Sequence, residues 1–307
     1  MGKLKYFLKR LLLAVITLWF ILTATFVLMK SIPGDPFANE KMILPEIRAN
    51  MEAKYGLDKP LFEQYLTYMN NFLHGDFGIS YKYKNRSVNT FIETGFPVSA
   101  SLGLIACAIG LIFGISFGIL AAIKRGKWPD FLVIIIAILG VSVPAFVFGS
   151  LFQYVFAVKL KWFPVAGWGT TAAIALPATA LGLRMIAYIA RMMRTSMLDV
   201  MGQDYIKTAK AKGLSNTAII WKHAVRNAIM PVVTVSGSMI AGTLVGSFIM
   251  ENIFNIPGMG KYLVNAVKDS DYTMIMGMTA FYAIIMIITM FLVDIVYMLI
   301  DPRVKLD

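Results

Sequence analysis

Residues Val98–Ile123 read VSASLGLIACAIGLIFGISFGILAAI, a run without one charged side chain. As a helix rising 1.5 Å per residue it reaches across the hydrocarbon core of a bilayer, about 30 Å thick, where helices and closed barrels alone satisfy every backbone amide and carbonyl. Five further runs share its character: Leu11–Met29, Phe131–Val158, Thr171–Met192, Val232–Met250 and Met274–Ile300. The 307-residue chain is 58% hydrophobic and 15% charged, with a mean hydropathy of +0.70, whereas soluble domains carry about a quarter charged residues. The fold class expected is an all-α membrane protein with about six transmembrane helices.

The first run follows Lys3, Lys5, Lys9 and Arg10 and is longer than the apolar part of a secretory signal. No small-x-small cleavage site follows it, so it reads as a retained helix. Six spans place both termini on one side, and lysine and arginine say which. With the amino terminus inside, the internal segments carry a net +11 and the external ones +1, out of a total of +12. Both termini are therefore expected to be cytoplasmic. Trp162, Phe163 and Trp168 then fall at an external interface and Trp128 at an internal one, where amphipathic rings prefer to sit.

This topology divides the chain into a first helix (1–30), an extracytoplasmic cap (31–95) and a helical bundle (96–302) with a long cytoplasmic loop (194–231). Within the cap, Pro45–Lys54 and Pro60–Leu73 read as helices stopped near Gly56 and Gly75, since proline favours a first turn and glycine ends a last one. The cytoplasmic loop reads as two helices broken at Gly213-Leu214, with Ser215 capping the second and Pro231 marking entry into the fifth span. Gly110, Gly114 and Gly118 recur every fourth residue, as do Gly242 and Gly246. They are read as close-packing stripes, with hinge points as the alternative.

The basic balance does not indicate a nucleic-acid partner, because lysine and arginine sit between apolar runs rather than on one wet face. The single cysteine, Cys107, excludes a disulfide framework and a cysteine-based metal site. Gly126-Lys127 is followed by Trp128 and Gly260-Lys261 by Tyr262, so neither is a phosphate-cradling G-x-x-x-x-G-K-[ST] loop. His74 and His223 fall on opposite sides of the membrane in this topology, so they share neither a metal nor a catalytic triad. No cofactor or metal is expected on this chain. The chemistry that remains is passage of a solute, driven from elsewhere.

The segment that could receive the drive is Asp204-Tyr205-Ile206-Lys207-Thr208-Ala209-Lys210-Ala211-Lys212-Gly213. Its helical spacing puts small side chains on a low-profile face flanked by positive charge, fit for a groove on another protein. A basic helix resting on anionic headgroups is the second reading, and pattern alone leaves both open.

From Asp204 through Lys212-Gly213-Leu214-Ser215 to His223-Ala224-Val225-Arg226-Asn227-Ala228-Ile229-Met230-Pro231, the loop resembles that of binding-protein-dependent ABC importer permeases, in the branch that moves oligopeptides, dipeptides and nickel. Pro33-Gly34-Asp35-Pro36, Tyr55-Gly56-Leu57-Asp58-Lys59-Pro60, Gly75-Asp76-Phe77-Gly78, Ile256-Pro257-Gly258-Met259-Gly260, Asp294-Ile295-Val296-Tyr297 and Asp301-Pro302-Arg303 extend the likeness along the chain. It resembles the first of the two permeases in such systems.

The resemblance implies a coupling helix seated in an ATPase subunit, touched by Asp204, Tyr205, Thr208, Ala209, Ala211, Lys212 and Gly213. It further implies a second homologous permease, two ATP-binding cassette subunits that carry ATP and Mg, an extracytoplasmic peptide-binding protein, and a bacterial cytoplasmic membrane around them. The broader family has Glu-Ala-Ala where this chain has Lys207-Thr208-Ala209, so no role passes to a glutamate there.

Two charges lie inside spans, Arg184 and Asp294, roughly 10–15 Å from the cytoplasmic ends. Equal depth allows an ion pair; a snorkelling or cavity-lining arginine and an aspartate bound to backbone are the alternatives. The function expected is that of a pore-forming permease for oligopeptides or dipeptides working by alternating access. Rival readings are the same fold moving nickel, glutathione or short oligosaccharides, or an intramembrane enzyme or signalling receptor.

Overall fold

The structure is a computed structural model that describes residues 2–32, 45–83, 85–244 and 246–300. Pro33-Gly34-Asp35-Pro36 and Asp301-Pro302-Arg303 lie outside the described residues. Regular structure among the described residues is helical, apart from one β-bridge, Ile79 to Ser87. The helices are α1 (Gly2–Ser31), α2 (Pro45–Tyr55), α3 (Leu61–Leu73), α4 (Val88–Ile123), α5 (Trp128–Ser142), α6 (Ala145–Lys159), α7 (Thr171–Met201), α8 (Asp204–Ala211), α9 (Asn216–Ala228), α10 (Met230–Leu244), α11 (Phe248–Ile253), α12 (Gly260–Lys268) and α13 (Tyr272–Ile300). Among the described residues four helices are long and apolar enough to cross a membrane unbroken, or six spans if each of two bent pairs counts as one.

Two of the six expected spans differ from their sequence reading. Phe131–Val158 is not one helix: α5 ends at Ser142 and α6 starts at Ala145, bent by 107°. The cause is local, because Pro144 has no amide to donate and forces the residue before it, Val143, into an extended conformation (φ −96°, ψ 127°). Val232–Met250 is likewise interrupted: α10 ends at Leu244, Gly246 takes φ +94°, and α11 follows. At its other end α10 is bent by 50° from α9, where Pro231 removes a donor.

Contacts divide the chain into two units. The first comprises Met1–Phe96 and Met259–Ile287. Its core is Val88, Phe91, Met259, Met274 and Met278, ringed by Tyr81 and Tyr272. Asp271, fully buried, caps α13 through the Met274 amide (3.1 Å) and also accepts from the Ser80 hydroxyl and the amides of Tyr81 (3.1 Å) and Lys82 (3.3 Å). The expected cap helices form as α2 and α3, and Gly56 and Gly75 sit after their ends with positive φ.

The second unit comprises Pro97–Gly258 and the segment from Ile288. Here α4 lies against α7 with no room for side chains on its glycine stripe. A Cβ on Gly110 would stand 2.6 Å from Met185 Cγ, one on Gly114 2.8 Å from Ile189 Cβ, and one on Gly118 2.6 Å from Met193 Cβ. The packing reading of that stripe holds. It fails for the other pair: Gly242 faces open space, and Gly246 serves the break. Gly140 brings α5 equally close to Ala187 of α7, which makes α7 the central helix of this unit.

Candidate coupling elbow and buried charges

The elbow begins where α7 ends. Gln203 turns the chain in an extended conformation, and α8 starts at Asp204, whose carboxylate suits a helix N-terminus and pairs with Lys207 at 2.8 Å. Two side chains of α8 point inward. Ile206 and Ala209 are buried in the cluster formed by Met185, Ile189, Met193 and Met197 of α7 with Ile219, Ala224 and Ala228 of α9. Helical spacing then sends Asp204, Tyr205, Thr208, Ala211 and Lys212 outward, and all five are exposed. Ala209, expected on the docking face, is instead part of the surface that seats α8 on its own chain.

Termination of α8 follows from Gly213. At φ +75° it lets its amide bond Lys210 O (3.0 Å) while the Leu214 amide reaches Ala209 O (3.3 Å), a Schellman ending. Ser215 then accepts from the Ala218 amide at 3.3 Å and starts α9, as its sequence position predicts. The turn is therefore built from local chemistry, and its inner side is anchored by apolar burial.

Arg184 is exposed on α7 and Asp294 half-buried on α13. An ion pair between two apolar helices joins Asp130 at the start of α5 to Arg194 in α7. Arg194 Nε and Nη2 meet Asp130 Oδ1 and Oδ2, the second at 2.9 Å, and the Gly126 amide adds a third donor at 3.0 Å. The Asp130 side chain is only 3% exposed. A second carboxylate, Glu251 of α11, is buried at 1% exposure and accepts from the Ser99 hydroxyl at 2.7 Å. Gly246 and Gly258 make room for it: a Cβ on either would come within 2.7 Å of its carboxyl group.

Sequence reasoning gave neither Asp130 nor Arg194 a partner. Spacing supplies no signal for a pair 64 residues apart. Glu251 had a weak one, a lone acid beside an apolar run followed by Ile256-Pro257-Gly258.

Residues 114–306 match the family described as binding-protein-dependent transport system inner membrane component, and residues 3–103 match the N-terminal part of such a membrane component. The chain belongs to this family. Along its whole length it is similar to the dipeptide transport system permease protein DppB of Bacillus subtilis (strain 168), 48% identical over 302 residues, 98% of each chain. The oligopeptide transport system permease protein OppB of Haemophilus influenzae is 42% identical, with 98% of this chain and 99% of the relative covered. OppB of Escherichia coli (strain K12) is 41% identical over the same shares. Two solved structures share the fold at 15% identity. An amino acid ABC transporter has a TM-score of 0.54 over 68% of this chain and 94% of its own. The MetNI methionine ABC transporter, seen in inward-facing conformations, has 0.53 over 69% and 96%. The family match over residues 114–306 takes in α7, α8 and α9.

Proposed function

We propose that this chain is the pore-forming permease subunit of an ATP-driven uptake system for dipeptides or oligopeptides, set with both termini in the cytoplasm of a bacterial cell. The observation that carries the reading is similarity over 98% of the chain to permeases named for dipeptide and oligopeptide transport.

The elbow supplies a mechanism. The exposed face of α8, Asp204, Tyr205, Thr208, Ala211 and Lys212 with Gly213 at its end, enters a groove on an ATP-binding cassette subunit that holds ATP and Mg. Ile206 and Ala209 do not touch that subunit; they pass its displacement into the methionine-rich core of α7. Because the glycine stripe leaves no slack between α7 and α4, and Asp130–Arg194 ties α5 to the same helix, a push on α8 moves these three helices as a body. A second, related permease completes the pathway, and an extracytoplasmic peptide-binding protein meets the segment 31–95. ATP and the loaded receptor favour different states of the bundle, so solute crosses by alternating access.

The test is uptake by proteoliposomes that contain the permease pair, both ATPase subunits and the receptor. Labelled dipeptide and oligopeptide accumulate only when ATP is inside, while nickel, glutathione and short oligosaccharide do not. ATP-dependent accumulation of one of the latter, with no peptide uptake, overturns the cargo. Uptake of nothing by a complex that hydrolyses ATP when receptor is added overturns the transport reading.

A further inference from the structure

Helix α3 divides sharply by face. At 100° per residue, Tyr68, Leu61, Phe72, Tyr65, Met69, Phe62, Leu73 and Leu66 fill one arc about 160° wide, and Gln64, Asn71, Thr67, His74, Glu63 and Asn70 fill the opposite one. One edge of the apolar arc is partly covered, over Tyr65, Tyr68 and Phe72, while Leu61 at the helix start is 60% exposed. Tyr65 bonds the Thr23 hydroxyl of α1 at 2.8 Å, and the rings of Tyr65 and Tyr68 lie 5.4 and 5.9 Å from that of Phe26. The other edge is bare: Phe62 is 71% and Leu73 78% exposed, and Leu66 is exposed between them.

The depth of that contact says what covers the bare edge. Thr23 lies within the apolar span of α1, roughly 12 Å before its end at Ser31. A helix fastened to Thr23 and Phe26 stands beside lipid and not in the aqueous space beyond it. Val27 and Leu28 of α1, in the same turns, are exposed apolar side chains as well, so the bare edge of α3 continues a surface that already needs hydrocarbon.

We propose that α3 is an interfacial helix, embedded in the membrane leaflet at the C-terminal end of α1, with Phe62, Leu66, Met69 and Leu73 against acyl chains and Glu63, Asn70 and His74 toward water. The helix also walls a cavity of about 380 Å³, in which Gln64, Thr67 and Asn71 of its polar side meet Lys30, Tyr55 and Asp76.

The experiment uses the full chain with Cys107→Ala, assembled with its partner subunits in proteoliposomes. Nitroxide labels are placed at Phe62→Cys, Leu66→Cys and Leu73→Cys, at Glu63→Cys and Asn70→Cys, and at Phe20→Cys of α1 as a reference for a lipid-facing span. Expected is several-fold greater collision with oxygen than with a water-soluble nickel chelate at 62, 66 and 73, and the reverse at 63 and 70. Chelate access at 62, 66 and 73 overturns the inference and marks them as aqueous. Exclusion of both reagents there marks a protein partner and overturns it equally. A label at Phe20 that collides with the chelate instead would indict the spanning reading of α1 itself. In the unsubstituted chain, phospholipid carrying a diazirine on its acyl chain must cross-link the peptide containing Leu61–Leu73; absence of that adduct is also decisive against the inference.

Discussion

A carboxylate buried as deeply as Asp130 is tolerable because three donors meet it: two from Arg194 and one from the Gly126 amide. Removing one partner of a buried pair leaves an uncompensated charge and costs about 3–5 kcal/mol, whereas replacing both with apolar or neutral groups is often near neutral. Arg194→Ala is therefore expected to lower the stability of the purified chain by that amount in thermal unfolding, and Asp130→Asn with Arg194→Met to restore most of it. A loss in the double variant as large as in the single would mean the pair does not hold α5 to α7. For Arg184 and Asp294 the pairing proposed from equal depth is tested by function: either charge reversal alone should abolish peptide uptake, and reversal of both should recover it. Tyr81 carries a pH signature. Burial pushes its phenol up to about 12 from an ordinary 10.0, opposed by a hydrogen bond from Thr273. The neutral ring stabilises the fold fully below pH 10, and that contribution is lost as pH rises from 10 toward 12, where the unfolded chain ionises first. Titration of the phenolate absorbance against a Tyr81→Phe variant should find the missing step in that upper range.

For α8 the two faces make opposite predictions. Ala211 is exposed and Ala209 buried against the α7–α9 cluster. Ala211→Trp should leave thermal stability unchanged while removing ATP-dependent uptake, because an indole there would not fit the ATPase groove proposed for this face. Ala209→Leu overpacks the seat and should cost about 1–3 kcal/mol of stability. Equal loss of stability in both variants would show that α8 has no free face. Much of this element was legible in the sequence: the helix, the Gly213 stop and the Ser215 cap all follow from residues within a few positions of one another. The orientation was not, since low-profile spacing admits Ala209 on the outer face as readily as on the inner one until α7 and α9 are packed against it. Likewise Pro144 announced a break to anyone counting donors, but the apolar run around it is long enough to disguise a 107° bend as a single span.

At the scale of the molecule, α7 receives the glycine stripe of α4, the Gly140 contact of α5 and the seat of α8. A side chain at Gly114 must push α4 away from Ile189, so Gly114→Leu is expected to cost about 1–3 kcal/mol and to uncouple ATP hydrolysis from uptake. An unaltered melting temperature with full transport would contradict the close approach. The sequence alone determined that the chain is a set of lipid-soluble helices, where its elbow turns and which family's loop it resembles. Hydropathy and turn chemistry act over one element at a time, and lipid leaves no other way to satisfy a bare backbone. Only the tertiary structure decided where two spans break, which side of α8 is free, and which acids find partners. Those outcomes depend on groups as far apart as the 64 positions between Asp130 and Arg194 or the 191 between Ser80 and Asp271, a separation on which local pattern has no hold.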